Sequence, residues 1–297
     1  MLNTNAPIAD VTAEVRRVAD AGFTTAVSSQ IFAYDALTLL AVVGQQVPGI
    51  ELATGVVPTY PRHPYVLAAQ ALTVQAATGG RLVLGIGLSH QPVIEGMFGY
   101  SFDKPARHMR EYLEILLPLL RGEQVSYKGE TVSVSTFGPI EVEAPAPQVL
   151  LAALAPRMLR LAGGVADGTM TWMIGPNTVA SHITPSITAA AEAAGQPAPR
   201  IVVGLPVCVT NDVDAARERA SRDFVAYGYM PSYRTMLDME GAEGPADVVV
   251  VGDEESVAAQ LARVAEAGAT DFVAAPFGSA DDRTRTFALL ADLAAES

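Results

Sequence analysis

Seven short segments of this chain are apolar throughout rather than at alternate positions, and a helical stretch follows nearly every one. They are TTAVSS (24–29), ELATGVV (51–57), RLVLGIG (81–87), QVLLAAL (148–154), GTMTWMI (168–174), IVVGLPVCV (201–209) and DFVAAP (271–276). A strand that is apolar on both faces has to be covered on both faces, which is the condition of a parallel sheet wrapped by helices. Helical spacing is read over 35–47, 64–78, 105–121, 156–166, 177–194, 212–229, 254–267 and 281–295. Two stretches repeat the unit openly: AEVRRVADAGFTTAV (13–27) and AQLARVAEAGATDFV (259–273) agree at eight of fifteen positions. In each, a helix ends at a glycine, Gly22 or Gly268, and runs into a β-rich segment; Asp10 and Asp253 are the expected N-caps. With an abbreviated first strand near LNTN, the count reaches eight βα units. The expected fold is therefore a single (β/α)8 barrel domain over 1–297, with insertions at about 122–147 and 230–250.

Charge and composition narrow the function. The net charge is −13 and no Lys/Arg cluster forms a basic face, so nucleic acid is excluded as a partner. No apolar run approaches the roughly 20 residues of a bilayer span, and the N-terminus lacks the pattern of a signal peptide, so a cytoplasmic protein is expected. The one cysteine, Cys208, reads as a buried thiol.

GIGLSH (85–90) follows a strand, yet a dinucleotide fingerprint would need a third glycine where His90 stands and an acid about 20 residues on; both are missing. In a barrel, the same residues deliver Ser89 and His90 to the C-terminal mouth, where barrel enzymes place their sites. Schiff-base chemistry needs a strand-end lysine, and the two lysines, Lys104 and Lys128, lie before a helix and in a hairpin turn. The four histidines (63, 90, 108, 182) show no metal-ligand spacing, and no pair of strand-end acids suits a glycosidase. A mouth this poor in acid–base groups points to chemistry carried by a cofactor. At IGPNT (174–178), free amides at a helix start and the Thr178 hydroxyl suit a phosphate; the alternative is a plain N-terminus capped by Asn177 or Thr178.

AGFTTAVSSQ, LATGVVPTYPRHPYVLAAQALTVQAATGGRLVLGIGLSH, ARHMREYLEILLPLLRGEQVSYKGE and LAGGVADGTMTW together resemble the bacterial luciferase-like monooxygenase family, and within it the branch that uses the deazaflavin coenzyme F420. The resemblance spans nearly the whole chain. It implies a homodimeric barrel that binds F420, or alternatively FMN, and acts on a small molecule. Thr54-Gly55-Val56 matches a bulge with a non-prolyl cis peptide behind the ring, with Val56 as backstop; an ordinary glycine bend is the alternative. Ser29-Gln30 stands where alcohol-oxidising relatives carry Asp-His, which favours reduction or oxygenation over alcohol oxidation. Gly87 and Ser89 face the cofactor, and His90 either donates a proton to substrate or caps its loop. Tyr34 matches an aromatic substrate wall. Trp172 packs beside the cofactor or fills core. The phosphate falls between Ala155 and Gly175–Thr178, with Arg157 as the nearest cation. The implied activity is hydride transfer between F420 and an activated C=C, C=N or C=O group. The alternatives are an FMN-dependent monooxygenase and a non-catalytic flavin-binding barrel.

Overall fold

The computed structural model describes residues 1–296. The chain forms two compact units: Leu2–Ala19 with Thr24–Ala152, and Met1 with Asp20–Phe23 and the chain from Ala153 onward.

In the first unit, strands β1 (Thr25–Ser28), β2 (Glu51–Thr54), β4 (Leu82–Gly87) and β7 (Gln148–Leu151) lie side by side and parallel. A two-residue strand, β3 (Val57–Pro58), continues β2 past a bulge and pairs with Ile86 and Gly87. All six residues of β4 are buried, as its unbroken apolarity requires. Helices Ala36–Gln46 and Pro64–Thr78 connect successive strands. Asp35 caps the first by accepting from Thr38 N–H, and His63 caps the second by accepting from Tyr65 N–H. Gly79 ends the second in the left-handed conformation, at φ 66°, which glycine adopts without a Cβ penalty. Their buried faces (Leu37, Leu40 and Val43; Leu67, Leu72 and Val74) each contribute about 1.5–3 kcal/mol per large side chain removed from water. At the start of β4 the Arg81 guanidinium donates to the carbonyls of Gly44, Val47, Ile50 and Thr78, fastening the end of the sheet remote from the strand tips.

The expected hairpin is present as β5 (Ser126–Lys128) and β6 (Ser133–Ser135), antiparallel. It is tied down by Glu111 of helix Pro105–Leu120. That buried carboxylate accepts from Thr131 N–H and Oγ1–H at 2.8 Å each, and from the amides of Glu130 and Val132.

In the second unit, β9 (Arg200–Val209) pairs in parallel with β8 (Gly168–Trp172), β10 (Val250–Gly252) and β11 (Asp271–Pro276). Arg200 and Asp271, at the starts of β9 and β11, form a two-point ion pair at 2.6 and 2.9 Å. Asp271 thus lies at the end of the sheet away from the strand tips, as its place at a strand start implies. Helices Pro156–Gly164, Val213–Asp223, Glu254–Glu266 and Ala280–Glu296 accompany these strands, together with a helical run over 176–194 whose second turn is a π-helix, Val179–Ile183.

Several sequence expectations change. No strand forms near LNTN, although Leu2 N–H donates to Val27 O at 2.9 Å. The insertion at 230–250 contains helix Pro231–Glu240 and leads into β10, which is not among the seven expected strands. The helix expected over 212–229 breaks at Phe224 into two. Asp10 lies inside the first turn of helix Ile8–Asp20 rather than capping it, whereas Asp253 caps its helix as expected. Gly22 and Gly268 take φ of 86° and 104°, the left-handed turns that the repeated unit predicted.

Candidate active site

The strand tips of the first unit gather most of the expected residues. The Gly55–Val56 peptide is cis, at the bond the sequence singled out. Val56 lies against β4: a Cβ at Gly85 would come within 3.2 Å of its Cγ1, and one at Gly87 within 2.8 Å of its Cγ2. Gly85 is also held to glycine by the Thr54 carbonyl oxygen, 2.0 Å from where a Cβ would stand. The glycines of GIG are therefore packing glycines, which let the bulge and the Val56 side chain close on the strand. Thr54 is fully buried and its hydroxyl donates to Gly85 O at 2.8 Å, so its proton is committed to the scaffold.

Ser28 and Ser29 are buried at the tip of β1, and Ser28 Oγ has no hydrogen-bond partner. Gln30, which the resemblance to the family left to hydrogen-bond ring or substrate in place of the relatives' histidine, turns its carbonyl oxygen to the Ala36 N–H at 3.0 Å, leaving only its amide donors for that role. Tyr34 is exposed. Ser89 has φ 61°, a left-handed conformation that costs a non-glycine residue of order 1 kcal/mol or more and concentrates at functional sites. His90 is the N-cap residue of the short helix Gln91–Gly96, but its side chain makes no capping bond. Its imidazole therefore does not cap that helix. Burial pulls its pKa below 6.5, so the imidazole is uncharged at neutral pH.

A neighbouring cluster escaped the sequence reading. His108 is buried, stacks on Tyr60 with centroids 4.0 Å apart, and meets the Thr59 hydroxyl at 3.2 Å. Burial pushes its pKa down to about 4, against the opposing pull of Glu111. Tyr60 also stacks on Phe102, and its buried hydroxyl has no partner. Burial, with the nearby charges of Asp103 and Glu95, raises that phenol to about 12.

In the second unit, the turn 153–156 and the helical run 176–194 are held together by His182 Nε2, 2.8 Å from Leu154 O. Ala155 is the N-cap residue of helix Pro156–Gly164, and Arg157 is exposed in its first turn. The amides expected to be free for phosphate are not free. Asn177 N–H and Thr178 N–H donate to the Glu240 carboxylate at 3.1 and 2.7 Å, and the Thr178 hydroxyl donates to Met236 O. Neither Asn177 nor Thr178 caps the run; Gly175 is the N-cap residue, and a Cβ there would collide with Glu240. A carboxylate at a helix start satisfies the same amides and dipole as a phosphate would, and here it comes from the far end of helix Pro231–Glu240.

A cavity of about 250 Å³ borders Glu240, Asp247, Gln260, Arg263 and Leu205. Leu205 points to the side of β9 opposite Gly204, its neighbour in the strand. Gly204 lies under the ring of Trp172, so this cavity is on the other face of the strand from the tryptophan.

The family model for luciferase-like monooxygenases matches residues 1–271. This chain belongs to the luciferase-like monooxygenase family. A luciferase-like relative, the 5,10-methylenetetrahydromethanopterin reductase of Methanolobus tindarius, is 28% identical over 221 residues, 73% of this chain and 66% of the relative. The coenzyme F420-dependent tetrahydromethanopterin reductase structure from Methanopyrus kandleri matches with a TM-score of 0.81 at 21% identity, covering 97% of this chain and 95% of that one. The FMN complex of the oxygenating constituent of 3,6-diketocamphane monooxygenase from Pseudomonas putida matches with a TM-score of 0.74 at 17% identity, covering 99% and 94%. The fold class is the luciferase-like α/β barrel that the sequence implied, in a family of enzymes. No helix among the described residues is long and apolar enough to cross a membrane.

Proposed function

We propose that this protein is an F420-dependent oxidoreductase that moves a hydride between the deazaflavin and a small organic substrate bearing an activated C=C, C=N or C=O group. The observation that carries this reading is Val56 laid against Gly85 and Gly87. It makes an apolar backstop at strand tips that offer hydroxyls and one imidazole, Ser28, Ser29, Ser89 and His90, but no carboxylate or amine. Such a site can bind and orient a ring but has no redox chemistry of its own.

The residues fit the cofactor. Val56 would close one side of the ring's seat, and the unpartnered Ser28 Oγ has a hydrogen bond to give to a polar atom of the ring. Ser89, with Ser29 beside Ser28, would complete the polar edge. F420, when bound and reduced, would supply the hydride. The 177–178 amides, occupied by Glu240, are not available for a phosphate. The likeness to a coenzyme F420-dependent reductase structure favours this cofactor. FMN is the second reading, favoured by the likeness to an FMN-bound oxygenase.

His90 holds or moves the proton. Because burial favours its neutral form, the ring is a weakened base that stays unprotonated at neutral pH and is ready to donate a proton only as the pH falls. Substrate reduction should therefore speed up as pH drops toward and below 6.5, and His90→Gln should flatten that rise. A profile unchanged in His90→Gln removes His90 from the proton path.

The test is turnover. Under anaerobic conditions, reduced F420 is mixed with the protein and a panel of conjugated enones, imines and ketones while the oxidised cofactor's absorbance is followed. Enzyme-dependent reoxidation supports the reading. Activity only with reduced FMN and oxygen transfers it to the monooxygenase.

A further inference from the structure

Large apolar and aromatic side chains that face water are unevenly spread over this chain. Among the described residues fifteen are exposed, and six of these fall in two four-residue segments: Ile31, Phe32 and Tyr34 in one, Met97, Phe98 and Tyr100 in the other. Phe32 is 74% exposed, and Ile31 and Met97 61% each. Single exposed apolar residues are ordinary, but a concentration of this kind marks a place where something binds. Both segments belong to the first unit and follow its strand tips. The first comes directly after Ser29 and Gln30, and the second after Ser89, His90 and the short helix Gln91–Gly96.

Both loops are fastened at their bases. Gln30 Oε1 accepts from Ala36 N–H at 3.0 Å, closing the first, and Asp35 at its end pairs with Arg62. In the second, Tyr100 N–H donates to Ile94 O at 3.1 Å and Phe102 N–H to Glu95 Oε1 at 3.3 Å. Phe102 stacks on Tyr60 with centroids 5.4 Å apart, and Tyr60 stacks in turn on buried His108. Arg62 therefore holds one loop and Tyr60 the other, which brings both to the same stretch of chain beyond β3. The nearby acids are spent on these ties: Asp35 on Arg62, Glu95 on Phe102 N–H, and Asp103 on the Ser101 hydroxyl at 2.7 Å. No residue from 31 to 34 or from 97 to 102 carries a charge. What the loops present to water is apolar.

We propose that these two loops form an apolar rim that receives the hydrocarbon tail of the substrate, so that the reacting double bond at the strand tips belongs to a compound with a long alkyl chain. The proposal rests on the oxidoreductase reading for the place of the reacting group, and narrows its substrate to an amphiphilic one. Continuity with that site selects this occupant over a second copy of the chain. Ile31 stands two residues from Ser29, a span of at most about 7 Å, so a molecule seated at the strand-tip hydroxyls lies within reach of the rim. A tail laid on it is removed from water together with the side chains that meet it.

A homologous series reads the tail by itself. The ketones 2-butanone, 2-hexanone, 2-octanone and 2-decanone are titrated by calorimetry into the full-length protein, cofactor-free and with oxidised F420 added, which has no hydride to give them. Affinity should rise about two- to four-fold for each added methylene, and so ten-fold or more from 2-butanone to 2-octanone. In a variant combining Ile31→Ser, Phe32→Ser, Met97→Ser and Phe98→Ser, 2-octanone should bind no more than about three-fold tighter than 2-butanone. Affinity independent of chain length in the unmodified protein overturns the proposal whether or not the variant folds, and so does an undiminished gain in a folded variant. Sedimentation of both proteins reads the rival occupant: an assembly that the substitutions break apart gives the rim to a second copy and overturns the proposal. F420 and FMN binding is measured on the same preparation. Cofactor binding without a chain-length gain refutes the rim alone, and a chain-length gain without cofactor binding refutes the oxidoreductase reading alone.

Discussion

The strand tips of the first unit are shaped by contacts between neighbouring strands, whereas those of the second are shaped by side chains from helices more than fifty residues further along the chain. Around β2 and β4 the decisive contacts are made against glycine, the Thr54 carbonyl over Gly85 and the Val56 side chain over Gly87. Around β8 and the helical run after it they are long-range: Glu240 reaches amides 62 and 63 positions back, and Phe224 and Tyr227 close on Trp172. A site built from glycine spacing tolerates no change of volume. One built from an insertion can be rewritten by substituting the insertion while the barrel stays intact.

The sharpest break of that contrast is Gly85→Ala. With a backbone oxygen 2.0 Å from the new Cβ, the strand or the bulge must move, and a loss of about 3–5 kcal/mol is expected in urea unfolding. Gly96→Ala, where nothing lies within 4 Å, should stay within about 0.5 kcal/mol. Equal effects would show that the β2–β4 contact is not tight. Next in size is Glu240→Ala, which strips the charged acceptor from two helix-start amides and should cost about 2 kcal/mol. A variant as stable as the parent would mean that the insertion is not fastened there.

A smaller effect appears in acid and belongs to the first unit. The folded pKa of His108 is about 4 against an ordinary 6.5, so between those values the unfolded chain binds the proton first and stability falls as pH drops from 6.5 toward 4. Glu111 adds a later loss. Burial alone would raise its pKa, but the hydrogen bonds from Thr131 and Val132 and the charge of Arg107 hold it below 4.5, so its contribution is present above that pH and disappears as pH falls through the folded value. His108→Phe should flatten the first phase and leave the second. Stability independent of pH from 6.5 to 4 in the parent would contradict the burial of a neutral His108.

The sequence made the scaffold legible because parallel strands covered on both faces leave continuous apolar runs, and Gly22 and Gly268 mark where helices turn back. Its failures have physical causes. β10 has only three residues, Val250–Gly252, too few to separate from the loop before it. The helix break at Phe224 was not legible, because the partner that Phe224 and Tyr227 pack against is Trp172, far away in the chain. Glu240 carried no signal: an acid at a helix end is ordinarily solvated, and only the fold brings it to Asn177 and Thr178. At the first unit the motif located the bulge, but the sequence could not show that Gln30 would spend its carbonyl on Ala36 or that Tyr60 and His108 would stack.

The central claim is that the first unit's strand tips hold F420, and the most direct measurement is an equilibrium titration of the cofactor-free protein with F420 and with FMN, repeated on Gly87→Ala. A Cβ at Gly87 would push on Val56 Cγ2 from 2.8 Å and on Ala152 from 3.1 Å, disturbing the backstop while leaving the hydroxyls and His90 in place. The account predicts F420 binding with a Kd on the order of micromolar, FMN weaker by about ten-fold or more, and F420 affinity reduced about ten-fold or more in Gly87→Ala. Tighter binding of FMN, or F420 affinity indifferent to Gly87→Ala, would contradict it.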